Sequence, residues 1–435
     1  MAPETIQARS TKTALDTALR TLALMDRLAW VPQRMAADPS SKSGQPPDIQ
    51  FDLDAVIPPP AVIAGIQVWF PPVHTVFATA QLTGTPTVAD QQVLAGALAT
   101  LESHYPWAPD GLFTYVAYGL PYFRRLPAGL LTLHLPRLLA NTNRYVLEEA
   151  VPSPTDVHPT NPGVRKPRLA VPVHIEENDL LFTLRGDDPA HLADALRWLG
   201  GSDTLAGHAI PSPRWPAGLR FTSSRAMFVQ LGLPRAVAIS QRLPYAQLVH
   251  PRSSKWIGFV GERAEPNVPA KVVTFCGGGG LRFTTAHPGD YFDTGSIQHL
   301  SHDLLDLQQF YDAGDPGDDA RFTERVRHLY GSTPPAPAGY PDPFPPVHHR
   351  MDGAGFDDLD SPDGVLRPKR QFSVFVPSAD LFAAIRRRHA SLDPHADLDA
   401  GEWETCLAHF IAATRRQNFL VPPRRHRAFP LLELA

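Results

Sequence analysis

Cysteine is nearly missing from this chain: Cys276 and Cys406 are the only two among 435 residues. Two are too few for a disulfide framework or a thiolate zinc site, and a reducing, intracellular setting suits them best. Long apolar runs are missing as well. No stretch of about 18 apolar residues occurs, which removes a membrane-spanning helix from the expectations. The N-terminal segment has no charged stretch followed by an apolar core and a small-residue cleavage site. "QARSTK" offers only Arg9 where a twin-arginine signal needs a pair. The expected compartment is the cytoplasm, although residues 1–35 are also acid-poor and amphipathic in the manner of a transit peptide. Neither sign of charge dominates. Forty basic and 44 acidic side chains leave a formal charge of −4, which gives no general pull toward nucleic acid or anionic membrane.

Two catalytic signatures are also lacking. "CGGGGLRF" at 276–283 is rich in glycine but has no Gly-x-x-x-x-Gly-Lys-Ser/Thr pattern, so a hairpin connection is expected there rather than a phosphate loop. No Gly-x-Ser-x-Gly elbow appears, which leaves a Ser–His–Asp hydrolase unsupported. The C-terminal "ATRRQNFLVPPRRHRAF" is basic, but a nucleic-acid site would need more charge and an aromatic platform.

Proline, by contrast, is abundant. Its 47 copies are roughly twice the usual share and imply long, stiff connections. With 43% hydrophobic and 19% charged residues the chain still has the composition of a folded enzyme, long enough for two or three domains.

Leu15, Leu19, Leu22 and Ala23 recur at helical spacing in "STKTALDTALRTLALMDRLAWV", predicting an amphipathic N-terminal helix capped by Ser10 or Thr11 and packed on the body or on a partner subunit. "AADPSSKSGQPPD" is a linker by composition. "HTVFATAQL", "GLFTYVAYG" and "NDLLFTLRGDD" read as strands; "TVADQQVLAGALATLESHY" and "PAHLADALRWLG" read as helices, Pro189 opening the second. That order suggests a ferredoxin-like α+β unit with a mainly antiparallel sheet. The second half repeats the pattern. "AKVVTFCGGGGLRFTTA" is expected to be a strand pair, "SIQHLSHDLLDLQQFY" a strand running into a short helix, "RQFSVFVPS" a strand, and "ADLFAAIRRRH" and "GEWETCLAHFIAATR" helices. Residues 331–370, rich in Pro, Gly and Asp, are expected to form a long connection with little regular structure, a kind of loop that is usually functional or disordered. The chain accordingly divides into an N-terminal helix and linker at 1–50, a first half at 51–210 and a second half at 211–435.

The segments "GLFTYVAYGLPYFRRL", "NDLLFTLRGDD", "GLP" at 232–234, "IGFVGERAEPN", "GSIQHLSHDLLDLQQFY", "HHR" at 348–350 and "RRQNFLVPPRRHR" occur in the order found in dye-decolorising peroxidases, which the chain resembles over roughly residues 60–430. The resemblance implies an α+β fold of two ferredoxin-like halves with mainly antiparallel sheets, a barrel of the dimeric α+β kind, and a haem b pocket in the second half. It does not by itself imply peroxidase chemistry. In the family a proximal histidine opens a His-x-Arg triplet. "HHR" matches it with His348 as the iron ligand and Arg350 as partner of a haem propionate, since a planar guanidinium suits a carboxylate. His349 is the alternative ligand. Asp352 and Asp357 are near enough in sequence to accept the second ring N–H of the ligand. Arg225 is a further candidate for the propionate side or pocket rim, and Phe259 for the pocket wall.

The distal side departs from the family pattern. The usual Gly-Phe-x-Asp-Gly reads "GFVGE" here, with Gly261 where the aspartate belongs and Glu262 next to it. The strand that should carry an arginine reads "QHLSHDLLDL", with His299, Ser301 and His302 and no arginine. His302, His299 and Glu262 are therefore the candidate acid–base groups. In a strand, His299 and His302 would face opposite sides; in a helical turn they would share one. The expected function is a haem-dependent oxidation of a small molecule by peroxide or oxygen. The alternative is a haem-free binding or scaffold protein, or a cofactor-independent enzyme, on the same fold. Self-association through the N-terminal helix is open; no nucleic-acid or membrane partner is expected.

Overall fold

The computed structural model describes residues 3–28, 46–57, 61–63, 66–68, 70–148, 174–251, 253–256, 269–277, 282–312, 349–359, 363–379, 381 and 411–435. Its centre is a closed ring of eight strands: β1 (His74–Leu82), β2 (Phe113–Gly119), β3 (Leu180–Gly186), β4 (Leu219–Phe228), β5 (Ser296–Leu305), β6 (His349–Asp357), β7 (Arg367–Val376) and β8 (Ile411–Val421). Neighbours around the ring run β4-β1-β3-β2-β8-β5-β7-β6 and back to β4, every pair antiparallel. The first four and the last four strands each show the spatial order 4-1-3-2 of a ferredoxin-like unit, so the fold is α+β with two such halves. Closure leaves no free sheet edge in the ring.

Helices follow the chemistry of their ends. In α2 (Val88–His104) the Asp90 carboxylate accepts the Thr87 backbone N–H at 2.9 Å, which satisfies a donor the helix itself cannot. In α3 (Pro189–Leu199) Asp188 accepts the Ala190 N–H at 2.8 Å and Pro189 takes the first turn. α1 (Pro3–Arg27) packs on β4 and α3. It is tied down by Ser224, whose hydroxyl donates to Ala14 O at 2.7 Å, and by Thr21, which donates to Phe356 O at 2.8 Å. The N-terminal helix therefore packs on the body, and it begins well before Ser10.

Several expectations change. The fourth strand of the first unit, β4, extends to Phe228, so the division between halves falls after residue 228 rather than at 210. No strand pair spans the described part of 270–286. Ala270–Val273 is a 3-10 turn, and Thr284 makes one isolated bridge to Leu138. The connection expected at 331–370 ends early: from His349 the chain is already in β6, and from Arg367 in β7. The helix expected across "GEWETCLAHFIAATR" is a strand from Ile411 onward. Ala412, Ala413 and Arg415 allow either state; the long-range pairing of β8 with β5 decides it, as tertiary context often overrides weak local preference.

Candidate functional site

Register sorts the second half into an inner and an outer face. Gln298, Leu300 and His302 of β5, Gln371, Ser373 and Phe375 of β7, and Arg415, Gln417 and Phe419 of β8 share the inner face; Ile297, His299, Ser301 and Asp303 alternate to the outer one. His299 and His302 thus lie on opposite faces of one strand and do not form a joint pair.

The outer faces of the two halves differ in chemistry. In the first half Val76, Ala78, Val116, Phe182, Leu184 and Ala226 join Leu94, Leu98 and Leu101 of α2 and Leu192 and Leu196 of α3 in one apolar cluster. In the second half Ile297, Phe372, Val374, Val376 and Leu420 are apolar and buried. Set among them are His299, Ser301, Asp303, Arg370, Arg416 and Asn418, all buried. Burying polar and ionisable groups on a face that normally packs as core is costly, and such clusters mark candidate sites.

His299 and Asn418 are direct cross-strand partners, and so are Ser301 and Arg416, which makes a two-by-two polar patch. His299 Nδ1 meets Asn418 Oδ1 at 2.6 Å. The amide oxygen is an acceptor, so it assigns the ring proton of the neutral imidazole to Nδ1 and the lone pair to Nε2. Asp303 accepts from Ser301 Oγ at 2.8 Å and from Arg370 Nη1 at 2.8 Å, while the Arg370 guanidinium also lies over the Phe372 ring, 4.8 Å from its centroid. The backbone row that holds Asn418 and His299 continues through Val374 to Arg350.

On the inner face His302 makes a second network. Its Nε2 lies 2.8 and 3.0 Å from the two Asp357 oxygens, and its Nδ1 lies 2.7 Å from Thr414 Oγ1. A bulge in β8 opposite His302 and Asp303 inserts Thr414 as the extra residue, and bulges re-aim side chains in this way. Asp357 also accepts from Gln371 Nε2 at 2.7 Å and from the Leu359 N–H at 3.1 Å. Asp357 is therefore held by His302 and Gln371, a different role from the acceptor for His348 expected from its place in sequence.

Arg225 is fully buried on the inner face, with Nη2 at 2.6 and 2.5 Å from the two Glu176 oxygens; the structure couples it to that carboxylate inside the barrel. His349 pairs in register with Phe375 on the inner face, its ring 5.9 Å from Phe51 and 6.0 Å from Phe375 between centroids. His348, Phe259 and Glu262 lie outside the described residues. Of the C-terminal arginines, Arg424 and Arg427 clasp Glu102 at 2.6 and 2.5 Å. Burial alone would raise the Glu102 carboxyl, but Arg427 and then Arg424 outweigh it and hold it below its ordinary range. These arginines are structural anchors rather than a solvated patch. Thr414 lies at the end of the segment expected to be helical, while Arg416 and Asn418 lie in the basic C-terminal stretch, in which no site is expected. The alternation of Arg416 and Asn418, two apart, was the available signal.

Among the described residues no group of three or more His, Cys, Asp or Glu could hold a bare metal ion, and no helix is long and apolar enough to cross a membrane. A model for a family of unknown function, DUF7405, matches residues 72–157. No curated protein matches the chain. Among solved structures the chain is similar to a variant of DypB from Rhodococcus jostii RHA1 in complex with heme, at 15% identity over 82% of this chain and 94% of that one, TM-score 0.48. It is similar to the encapsulated DyP-type peroxidase from Mycobacterium smegmatis, at 14% identity over 86% and 97%, TM-score 0.46. It is also similar to a dye-decolorizing protein from V. cholerae, at 12% identity over 85% and 96%, TM-score 0.45.

Proposed function

We propose that this chain is a haem-dependent oxidoreductase that oxidises a small molecule with peroxide or oxygen, with a distal side unlike that of the dye-decolorising peroxidases it resembles. The observation that carries the proposal is the polar patch on the outer face of the second half, where the first half packs a mainly apolar cluster against α2 and α3. The ordered sequence motifs, with the His348–Arg350 triplet among them, support haem b as the group held there. In this reading His348 is the axial ligand and Arg350 the propionate partner, with Phe259 in the pocket wall.

The residues present fit such a group. A haem requires one axial side chain from the protein, not a cluster of ligands. The outer face offers a buried imidazole whose tautomer is set by Asn418, and buried guanidinium groups able to face anionic oxygen. Haem, when bound, supplies the iron at which peroxide or oxygen is reduced. His299 then takes and returns a proton at Nε2, while Asn418 keeps the ring in one tautomer through Nδ1. Val374 and Phe372, packed beside the patch, keep it dry, which strengthens each electrostatic contact. Glu262 remains a candidate second acid–base group. His302, turned into the barrel and bonded to Asp357 and Thr414, is a positioning residue in this reading, since it holds β5 and β6 together behind His299.

The second reading is a haem-free binding protein or cofactor-independent enzyme. Gly261 in place of the family's aspartate, and the lack of an arginine on β5, favour it. An absorption spectrum of protein expressed with excess haem separates the two. A Soret band lost in His348→Ala and kept in His349→Ala is the expected result. Loss only in His349→Ala moves the ligand by one residue, and no band in the wild type removes the haem reading.

A further inference from the structure

We infer that Tyr115, Arg185 and Arg424 form a binding site for a phosphoryl group beside Trp107, at the inner face of the first half, a site independent of haem. Tyr115 is 1% exposed, and its hydroxyl has no hydrogen-bond partner. Arg424 is partly used. Its Nε donates to Pro47 O at 3.0 Å and its Nη1 to Glu102 at 2.6 Å, while its Nη2 is buried and unpartnered. Folded proteins keep such groups few, so two of them beside one indole point to a ligand or a function.

Distances bring these groups together. The Arg424 guanidinium lies over the Trp107 ring, 4.2 Å from its centroid, and the Tyr115 ring is 6.2 Å from the same indole. Arg185 joins them through register: it pairs with Phe113, and Tyr115 is the next inward residue of β2. Burial pushes the Tyr115 hydroxyl above its ordinary range, while Arg185 and then Arg424 pull it back, so both cations act on this one oxygen. Arg185 borders the hydroxyl without completing a hydrogen bond to it.

The charge of the missing partner follows from its neighbours. Arg185 is 4% exposed, and its Nε donates to Thr75 Oγ1 at 3.2 Å. Among the described residues Arg225, Arg370 and Arg424 each have a carboxylate within 2.8 Å, and Arg185 has none. Glu102 alone answers both Arg424 and Arg427. With Arg185 that makes three guanidinium groups to one carboxylate, an excess of two positive charges. Asp52 also acts on Tyr115, but the positive charges that answer its carboxyl are His349 and Lys271. The partner is therefore a dianion. It accepts hydrogen bonds, because a guanidinium can only donate. It has more than two oxygens, because donors reach it from β2, from β3 and from the turn after β8. A phosphoryl group meets all three conditions, and paired guanidinium groups offset the cost of stripping its water. Arg424 and Glu102, with side chains 13% and 22% exposed, open the site to solvent on their side.

Calorimetric titration of the full chain with inorganic phosphate at slightly alkaline pH, in a buffer without other oxyanions, should show saturable binding of one anion. Tyr115→Phe is the sharp variant. Its hydroxyl has no partner to lose, so the melting temperature should not fall, while phosphate affinity should drop by at least about tenfold, the loss expected for a charged hydrogen bond. Arg185→Gln should weaken phosphate by at least about tenfold as well. If Arg185→Gln fails to fold, Tyr115→Phe alone decides. Phenyl phosphate separates two sources of the same group: tighter binding than phosphate assigns the site to a phosphorylated organic molecule, weaker binding to free phosphate. No saturable heat in the wild type, or equal affinity in wild type and Tyr115→Phe, overturns the site. A loss in Arg425→Gln, at a solvent-facing arginine, but not in Tyr115→Phe would also overturn it. Formate, planar and singly charged, should bind at least about tenfold more weakly than phosphate; equal binding overturns the phosphoryl assignment.

Discussion

His302 and Asp357 meet across a strand to which neither belongs. β7 lies between their strands, and the imidazole of β5 reaches over it to the carboxylate of β6, Nε2 to Oδ2 at 2.8 Å, both side chains fully buried. Glycine makes the crossing possible. Gly353 pairs with Gln371, which pairs with His302, so the β6 end of that row carries no side chain. A Cβ on Gly353 would lie 2.9 Å from Phe228 O and from Val229 Cγ2.

Asp357→Asn should therefore destabilise the fold strongly. The carboxylate accepts from His302, from Gln371 and from the Leu359 N–H. An amide has one oxygen for three donors, and its own NH2 would face one of them. Urea unfolding should show a loss of about 2–4 kcal/mol. A loss well under about 1 kcal/mol would mean that the contact does not bind the strands together.

Removing Glu176 should cost more than removing its pair altogether. Arg225 is fully buried and both Glu176 oxygens face it; Arg415 lies 3.9 Å away on the other side. Glu176→Ala leaves a buried guanidinium without its carboxylate, at a cost of about 3–5 kcal/mol. The double variant Glu176→Leu with Arg225→Met should recover most of that loss in a thermal melt. Equal damage in single and double variants would argue that packing, not charge, is decisive here.

Stability should fall in acid through His74. Burial outweighs the opposing pull of the Asp188 carboxylate and holds this imidazole at about 4, against an ordinary 6.5. Below 6.5 the unfolded chain takes up a proton that the folded one refuses. Stability is then fully present above 6.5, declines as pH falls, and levels off near 4. The full difference is about 3 kcal/mol. Denaturant midpoints of wild type and His74→Phe, compared at both ends of this window, check it. The variant should lose less on acidification; an identical loss in both removes His74 as the cause.

The seam between the halves should tolerate no side chain at Gly119. This residue ends β2 opposite Phe419 of β8, and a Cβ there would collide with Asn178 O and Gln417 Nε2. Those two groups hydrogen-bond to each other at 2.8 Å. Gly119→Ala should cost about 2 kcal/mol or more through overpacking, seen as a lower melting temperature with unchanged secondary structure. A neutral result would show that the seam opens without penalty.

Local pattern was enough for much of the scaffold. The strand-forming residues of "HTVFATAQL" and "NDLLFTLRG" and the proline at 189 mark elements whose neighbours in sequence supply their signals, and the structure places them as read. The alternation rule also separated His299 from His302 once their segment was taken as a strand. Local pattern misled where long-range pairing makes the decision. Residues 411–415 have no strong preference, and β5 draws them into a strand. The stretch after His349 is poor in strand formers, yet β7 and β4 hold it in the barrel from either side.

By itself, the sequence determined β1, β2, β3, β5 and β7 and the helices α2 and α3, because residue preferences and turn chemistry act over a few residues. It also determined which side chains are capable of acid–base and anion chemistry. Only the tertiary structure decided which of them meet. Asn418 joins His299 across 119 residues and Asp357 joins His302 across 55, contacts set by strand register. Register depends on the closure of the whole ring, and a shift of a single residue would exchange its inner and outer faces.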